Sequence, residues 1–167
     1  MRKLIVNADD FGFSEAVNHG ILKAMEDGIV TSTSIMANMP GFAHAAALYH
    51  EHPDMAVGVH LNLTCYRPLL STHKTLVTET GYFHKQGELA GYCEEEMYEE
   101  LKAQIDYVLA QGIRIDHLDS HHPVSYTHLV IVTQIKYVGN LSQSIHFRHL
   151  IRAYAVIHAI ICKQQTV

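Results

Sequence analysis

The feature that most constrains the fold is the alternation of short β-branched, apolar runs with helical patterns. Four such runs lie at residues 4–6, 29–36, 55–59 and 113–118. Amphipathic helical patterns lie between them and begin at Ser14, Pro40 and Glu94. Because a strand–helix–strand unit brings successive strands into one sheet in parallel, this order predicts an α/β fold with a parallel sheet.

Composition bounds the class of protein and its partners. With 167 residues, of which 48% are hydrophobic and 17% charged, the chain can form a domain with a substantial core. A formal charge of −5 with only 12 Lys and Arg residues argues against nucleic acid as a partner. The three cysteines form no CxxC pair, which argues against a disulfide framework and a thiolate zinc site. We expect a cytoplasmic protein, since residues 1–119 contain neither a signal-peptide core nor an apolar run of membrane length.

Ionisable side chains recur where the predicted strands end. Asp9 and Asp10 follow the first run, His60 follows the third, and His121 lies just beyond the fourth. The carboxyl ends of parallel strands share one edge of the sheet, so we expect these groups to converge. One carboxylate and two imidazoles, from Asp10, His60 and His121, suit a divalent metal. Asp9 is then free to act as a base, and the set indicates hydrolysis of an amide or ester.

Each of these residues also has an ordinary structural interpretation. The paired aspartates are compatible with a turn cap, His60 with a hydrogen-bonded core histidine, and His121 with a loop. Residues 65–91 have little periodicity, and they suit either a substrate lid with Tyr82 and Phe83 as stacking surfaces or a disordered insertion. The acids at 94–96 are typical of a solvated helix face.

Four motifs together resemble the YdjC family of carbohydrate deacetylases. They read LIVNADDFG at 4–12, GIVTSTS at 28–34, VGVHLNLT at 57–64 and HLDSHH at 117–122, so the resemblance covers about residues 1–122. It implies a distorted (β/α) barrel, a homodimer, and removal of N-acetyl groups from acetylated amino sugars such as chitooligosaccharides. It also implies a divalent metal, Mg²⁺ in the first place and Zn²⁺ as the alternative. By position, Asp9 corresponds to the base, and Asp10, His60 and His121 to the metal ligands.

The sequence departs from the family pattern after His122. The family continues with further histidines, whereas this chain has Pro123 and Ser125, and all 17 Asp and Glu residues lie at or before Asp119. A complete barrel takes roughly 250 residues. We therefore expect a partial (β/α) barrel, truncated after about four βα units, followed by a divergent tail over 123–167 that includes an apolar helix at 142–164 and lacks the family's later general-acid histidine.

This departure leaves two alternatives to the hydrolase. A truncated or frame-shifted product would be an inactive remnant that binds metal or sugar. A metal phosphoesterase could use the same ligands, although the sequence offers neither a Gly-rich phosphate cradle nor a basic cluster near the motifs.

Overall fold

The computed structural model describes residues 4–86, 88 and 93–122. Four parallel strands pair in chain order, and helices connect them. The predicted α/β fold with a parallel sheet is confirmed. The elements are β1 (Asn7–Phe11), α1 (Glu15–Glu26), β2 (Ser32–Ile35), α2 (Phe42–Glu51), β3 (Val57–Leu61), α3 (Glu94–Ala110) and β4 (Ile115–Ser120).

Helices α1 and α3 begin where local signals predict them, whereas α2 begins at Phe42, two residues after the predicted start at Pro40. The Ser14 hydroxyl caps α1 by accepting a hydrogen bond from the backbone N–H of Val17 at 3.3 Å. In α3 the predicted apolar stripe is buried, and it packs beside the strands in the core. Its residues are Met97, Leu101, Ile105 and Val108.

The strands begin later along the chain than the apolar runs predict. Leu4 and Ile5 are 78% and 71% exposed, so the prediction of a buried strand at 4–6 is wrong. The cause is pairing, because β1 is an edge strand whose ladder with β2 starts only at Asn7. The second run likewise becomes strand only at Ser32. Consequently Asp9, Asp10 and His60 lie in the last residues of strands rather than after them.

The sheet has one apolar and one polar face. Side chains alternate along a strand, and the apolar set packs into the core. This set includes Ile35, Val57, Val59, Leu61 and Leu118. Hydrogen bonds join residues of the opposite face across all four strands. That face therefore carries the polar chemistry predicted for the site.

The segment from 65 to 86 is packed onto the domain and is not a disordered insertion. It contains an isolated bridge between Val77 and Phe83, and Leu76 is fully buried. Phe83 is only 4% exposed, so its predicted role as a stacking surface is wrong, because its ring packs in the core. Tyr82 is 41% exposed, and the Arg67 guanidinium lies 4.1 Å from its ring centroid.

The acidic start of α3 is only partly a solvated face. Glu94 and Glu95 are exposed, as predicted, but Glu96 accepts hydrogen bonds from the backbone N–H groups of Lys74 and Thr75 at 2.8–3.1 Å. Burial by itself raises the pKa of Glu96, but the hydrogen bonds from residues 74–76 outweigh it, and the pKa is lowered. Glu96 therefore fastens the segment after β3 to α3.

Two further predictions concern other parts of the chain. The tail at 123–167, with its predicted helix at 142–164, lies outside the described residues. Among the residues that the structure describes, no helix has the length and apolar composition needed to cross a membrane.

Candidate metal centre

An irregularity in β1 sets the direction of the two aspartates. The register of β1 against β2 shifts between Ala8 and Phe11, and Asp10 lies in the left-handed region at φ 69°. A non-glycine residue in this region costs about 1–2 kcal/mol, and such bulges commonly redirect side chains near functional sites. The backbone on both sides is held, since Met36 N–H donates to Phe11 O at 2.7 Å and Phe13 N–H donates to Asp10 O at 3.0 Å.

The structure brings Asp10, His60 and His121 together from the ends of β1, β3 and β4. Asp10 Oδ1 lies 3.4 Å from His60 Nε2 and 3.0 Å from His121 Nδ1. One ligand atom from each of the three residues lies within 4.8 Å of the others. The two imidazole rings are nearly perpendicular, with centroids 5.3 Å apart. The predicted convergence of strand ends is therefore present in the geometry.

A hydrogen bond fixes which nitrogen of His60 faces this cluster. His60 Nδ1 lies 2.6 Å from Asp119 Oδ1, and because a carboxylate accepts, Nδ1 carries the hydrogen. In neutral His60 the lone pair of Nε2 is then directed at Asp10. Two electron pairs 3.4 Å apart repel unless a cation or proton lies between them.

The two histidines respond differently to their surroundings. Burial by itself lowers the pKa of His60, but the hydrogen bond and charge of Asp119 and the charges of the two aspartates of β1 outweigh it, and the pKa is raised. Burial lowers the pKa of His121, and together with the charges of His122 and His60 it outweighs the charge and hydrogen bond of Asp10, so the pKa is lowered. His121 therefore favours the neutral form, which is the form that binds metals.

The three side chains fit a divalent metal. Zinc binds His nitrogen and carboxylate oxygen at about 2.0–2.2 Å, which separates adjacent ligand atoms by roughly 3–3.6 Å. The separations of 3.0 and 3.4 Å around Asp10 fall in this range. The chemistry of the donors agrees, because imidazole and carboxylate are both common ligands of divalent metals.

Asp9 lies beside this cluster with a different environment. It is exposed, and its Oδ1 accepts a hydrogen bond from Asn7 Nδ2 at 2.8 Å. A carboxylate oxygen of Asp9 also lies within 4.8 Å of a ring nitrogen of His60. His122 packs against His121, with ring centroids 4.3 Å apart, and its Nδ1 lies 2.8 Å from the hydroxyl of Thr64. Asp9 is thus the accessible carboxylate next to the three candidate ligands.

Sequence reasoning assigned no role to Asp119 or Ser34, although both belong to the quoted motifs. Asp119 contacts His60, and the Ser34 hydroxyl donates to the other oxygen of Asp119 at 2.5 Å. The available signal was alternation, because Ser32 and Ser34 are polar residues two apart in a β-branched run. The partner of Ser34, however, is Asp119, which lies 85 residues further along the chain.

Comparisons with known proteins agree with the motifs. A family model described as YdjC-like protein matches residues 3–159, which extends past residue 122, where the recognisable motifs end. A carbohydrate deacetylase from Geobacillus stearothermophilus is 48% identical over 124 residues, covering 74% of this chain and 50% of that protein. One from Vibrio cholerae (strain M66-2) is 42% identical over 129 residues, covering 75% and 50%.

A solved structure is similar over most of the chain. It is a crystal structure from Enterococcus faecalis V583, provisionally assigned as a cellobiose-phosphate cleavage protein, with a TM-score of 0.75 and 34% identity. The similarity covers 90% of this chain and 63% of that one. The chain spans about half the length of the curated relatives that it matches, at 50% for each of the two named above.

Proposed function

The chain belongs to the YdjC-like protein family, and on that premise we propose that it hydrolyses the N-acetyl group of acetylated amino sugars, with chitooligosaccharides as the expected substrates. The relatives named above are carbohydrate deacetylases. The observation that carries the proposal is the convergence of Asp10, His60 and His121 with Asp9 alongside. Hydrolysis of an amide at neutral pH needs a group that polarises the carbonyl and, next to it, a base that takes a proton from the attacking water.

In this proposal Asp10, His60 and His121 hold the metal, which when bound supplies a Lewis acid for the acetamide carbonyl and lowers the pKa of water. Mg²⁺ follows from the family resemblance, while two imidazole ligands are also typical of Zn²⁺. Asp10 contributes the negative charge of the set. His60 and His121 contribute neutral nitrogen atoms.

Asp9 acts as the general base. Its carboxylate accepts a proton from the attacking water as the water oxygen bonds to the acetamide carbon. When the C–N bond breaks, the sugar nitrogen must gain a proton, and Asp9 now carries one. Asn7 keeps the carboxylate in place through its 2.8 Å hydrogen bond. The products are acetate and the free amino sugar.

The test is acetate release from diacetylchitobiose by the full chain in the presence of Mg²⁺ or Zn²⁺. Replacing Asp9 with Asn removes the base and keeps the side-chain shape, so we expect a loss of about 10²–10⁴-fold in turnover. Metal affinity should remain, because Asp9 is not among the three ligands. Asp27→Asn is the control, since Asp27 caps α1 on the surface. Equal turnover by Asp9→Asn and the wild type would refute the role of Asp9.

The same assay separates the alternatives. Metal or sugar binding without acetate release would favour the inactive remnant. Phosphate release from a phosphorylated disaccharide would favour the phosphoesterase. The homodimer implied by the family resemblance is tested by sedimentation of the same sample.

A further inference from the structure

A chain of hydrogen bonds crosses the polar face of the sheet beneath the candidate metal centre. It starts at Asn7 in β1, passes through Ser34 in β2 and Asp119 in β4, and ends at His60 in β3. Each of the four strands contributes one residue. None of Asn7, Ser34 and Asp119 is among the three ligands proposed above, so that proposal leaves them without a role, although a ligand atom of Asp119 also lies within 4.8 Å of ligand atoms of Asp9 and His60.

The Ser34 hydroxyl bridges Asn7 and Asp119. Its hydroxyl is fully buried and donates to Asp119 Oδ2 at 2.5 Å. A hydroxyl has one proton and two lone pairs. One lone pair accepts from Asn7 Nδ2 at 2.8 Å, and His117 Nε2 lies 3.1 Å from the same oxygen. Because the carboxylate can only accept, the Ser34 hydroxyl donates to Asp119 and accepts from Asn7.

Both oxygens of Asp119 are therefore engaged, one by a residue of β2 and the other by a residue of the adjacent strand β3. Oδ2 accepts from Ser34 and Oδ1 accepts from His60 Nδ1 at 2.6 Å. Rotation of the carboxylate would break both bonds, so Ser34 holds Asp119 in the orientation that His60 requires. His60 in turn keeps its Nε2 directed at Asp10, 3.4 Å away.

The same network reaches Asp9. The amide of Asn7 donates one hydrogen to Ser34 and the other to Asp9 Oδ1, each at 2.8 Å. Its own oxygen accepts from the Ser32 hydroxyl at 2.6 Å, which fixes the orientation of the amide. One network thus orients both a proposed ligand and the proposed base.

We propose that Ser34 and Asp119 are positioning residues of the metal centre, which fix the tautomer and ring orientation of His60 so that Nε2 is presented to the metal. This inference rests on the proposed metal role of His60. Hydrogen-bonded carboxylates behind metal-binding histidines commonly change metal affinity 10–100-fold when they are removed. Ser34 extends this effect by one further residue.

Thr33 provides a matched control. It is the neighbour of Ser34 in β2, it is also fully buried, and its hydroxyl donates to Ala8 O at 2.7 Å. Its side chain extends to the opposite face of the sheet. Thr33→Val therefore removes a buried hydroxyl from the same strand without touching the network.

The experiment measures Zn²⁺ affinity by titration calorimetry and the His60 tautomer by long-range ¹H–¹⁵N NMR of the metal-free full chain. For Ser34→Ala and Asp119→Asn we expect Zn²⁺ affinity to fall 10–100-fold. We also expect the Nδ1–H form of His60 to lose its dominance. Ser34→Thr, which keeps the hydroxyl, should restore most of the affinity, and Thr33→Val should bind Zn²⁺ as the wild type does.

Wild-type Zn²⁺ affinity and an unchanged His60 tautomer in Ser34→Ala would overturn the inference, and so would an equal affinity loss in Thr33→Val. If Ser34→Ala does not fold, Asp119→Asn, which keeps the side-chain shape, decides alone. The tautomer is read without metal or substrate, so it stands apart from catalysis. If the variants lose Zn²⁺ affinity and the Nδ1–H form of His60 while the wild type releases no acetate, the inference is supported and the proposed hydrolysis fails. If the wild type releases acetate while the His60 tautomer is unchanged in Ser34→Ala and Asp119→Asn, the proposed hydrolysis is supported and this inference fails.

Discussion

Replacing Glu100 with Ala should lower the free energy of unfolding by about 3–5 kcal/mol, the cost of leaving several buried donors without their acceptor. Glu100 lies in α3 and is fully buried. Its carboxylate accepts four hydrogen bonds at 2.8–3.1 Å, from the backbone N–H groups of Leu69 and Leu70, from His73 Nε2 and from Gln104 Nε2.

The magnitude follows from the donors that the substitution leaves behind. Each orphaned buried donor costs about 1–3 kcal/mol. The backbone groups of Leu69 and Leu70 are partly buried, so water relieves part of their cost. His73 is buried, and within the described residues its Nδ1 already has no hydrogen-bond partner. Loss of Glu100 removes the hydrogen bond of Nε2 as well, so that neither ring nitrogen of His73 has a partner among the described residues.

The assay is urea unfolding followed by far-UV circular dichroism, because the chain contains no Trp for fluorescence. The control is Glu99→Ala, which removes the exposed neighbouring carboxylate from the same helix. We expect this control to change stability by no more than about 0.5 kcal/mol. A difference of less than about 1 kcal/mol between the two variants would refute the reasoning that the four bonds to Glu100 stabilise the fold.

The substitution Glu100→Ala should also affect the candidate metal centre. Gln104 donates to the backbone carbonyl of Asn62 at 2.7 Å and accepts from its N–H at 3.0 Å. Asn62 comes directly after β3, which carries His60. We therefore expect Glu100→Ala to weaken Zn²⁺ binding in the folded protein, whereas Glu99→Ala should not.

Three other outcomes are expected. A Cβ on Gly58 would lie 2.3 Å from His117 Nε2, so Gly58→Ala should displace that ring, lower the free energy of unfolding by about 1–3 kcal/mol in thermal unfolding and weaken metal binding. Gly20→Ala is the control: its new Cβ would have no atom within 4 Å, and it should raise the free energy of unfolding by about 0.5–1 kcal/mol. The pKa of Glu96 is lower in the folded state than the value near 4.5 of the unfolded state, so the folded state binds the proton less readily. The wild type should therefore be more stable than Glu96→Gln by about 1 kcal/mol above pH 4.5, and this difference should shrink as the pH falls below that value in urea titrations. Zn²⁺ at 100 times its dissociation constant should raise the free energy of unfolding by about 2.7 kcal/mol, an effect that a chelator reverses and that Asp10→Asn diminishes.

The sequence predicted the helices better than the strands, for a physical reason. Helix signals are local, and the hydroxyl of Ser14 and the stripe of α3 are read within one or two turns. A strand exists only where a partner pairs with it. Residues 4–6 are as β-prone as any in the chain, yet β1 begins at Asn7 because that is where β2 supplies partners.

The candidate site could be located but not constructed from the sequence. The rule that parallel strands end at one edge brought Asp10, His60 and His121 together correctly in space. It could not predict the left-handed backbone of Asp10, because that conformation depends on the register shift between β1 and β2. It also could not predict that Glu100, in a helix with many acids, is the one fully buried glutamate among those described.

The composition of the two sheet faces links stability to function. Parallel sheets are usually apolar on both faces, because helices or a barrel core cover each of them. Here the helix-covered face follows that rule, whereas the other face carries Asn7, Ser34, His60 and Asp119 joined by hydrogen bonds. Polar groups on this face add little hydrophobic stability, and three carboxylates near His60 would repel one another without a positive charge among them. The arrangement is costly for folding alone, and either the proposed metal or a proton on His60 would supply the missing positive charge.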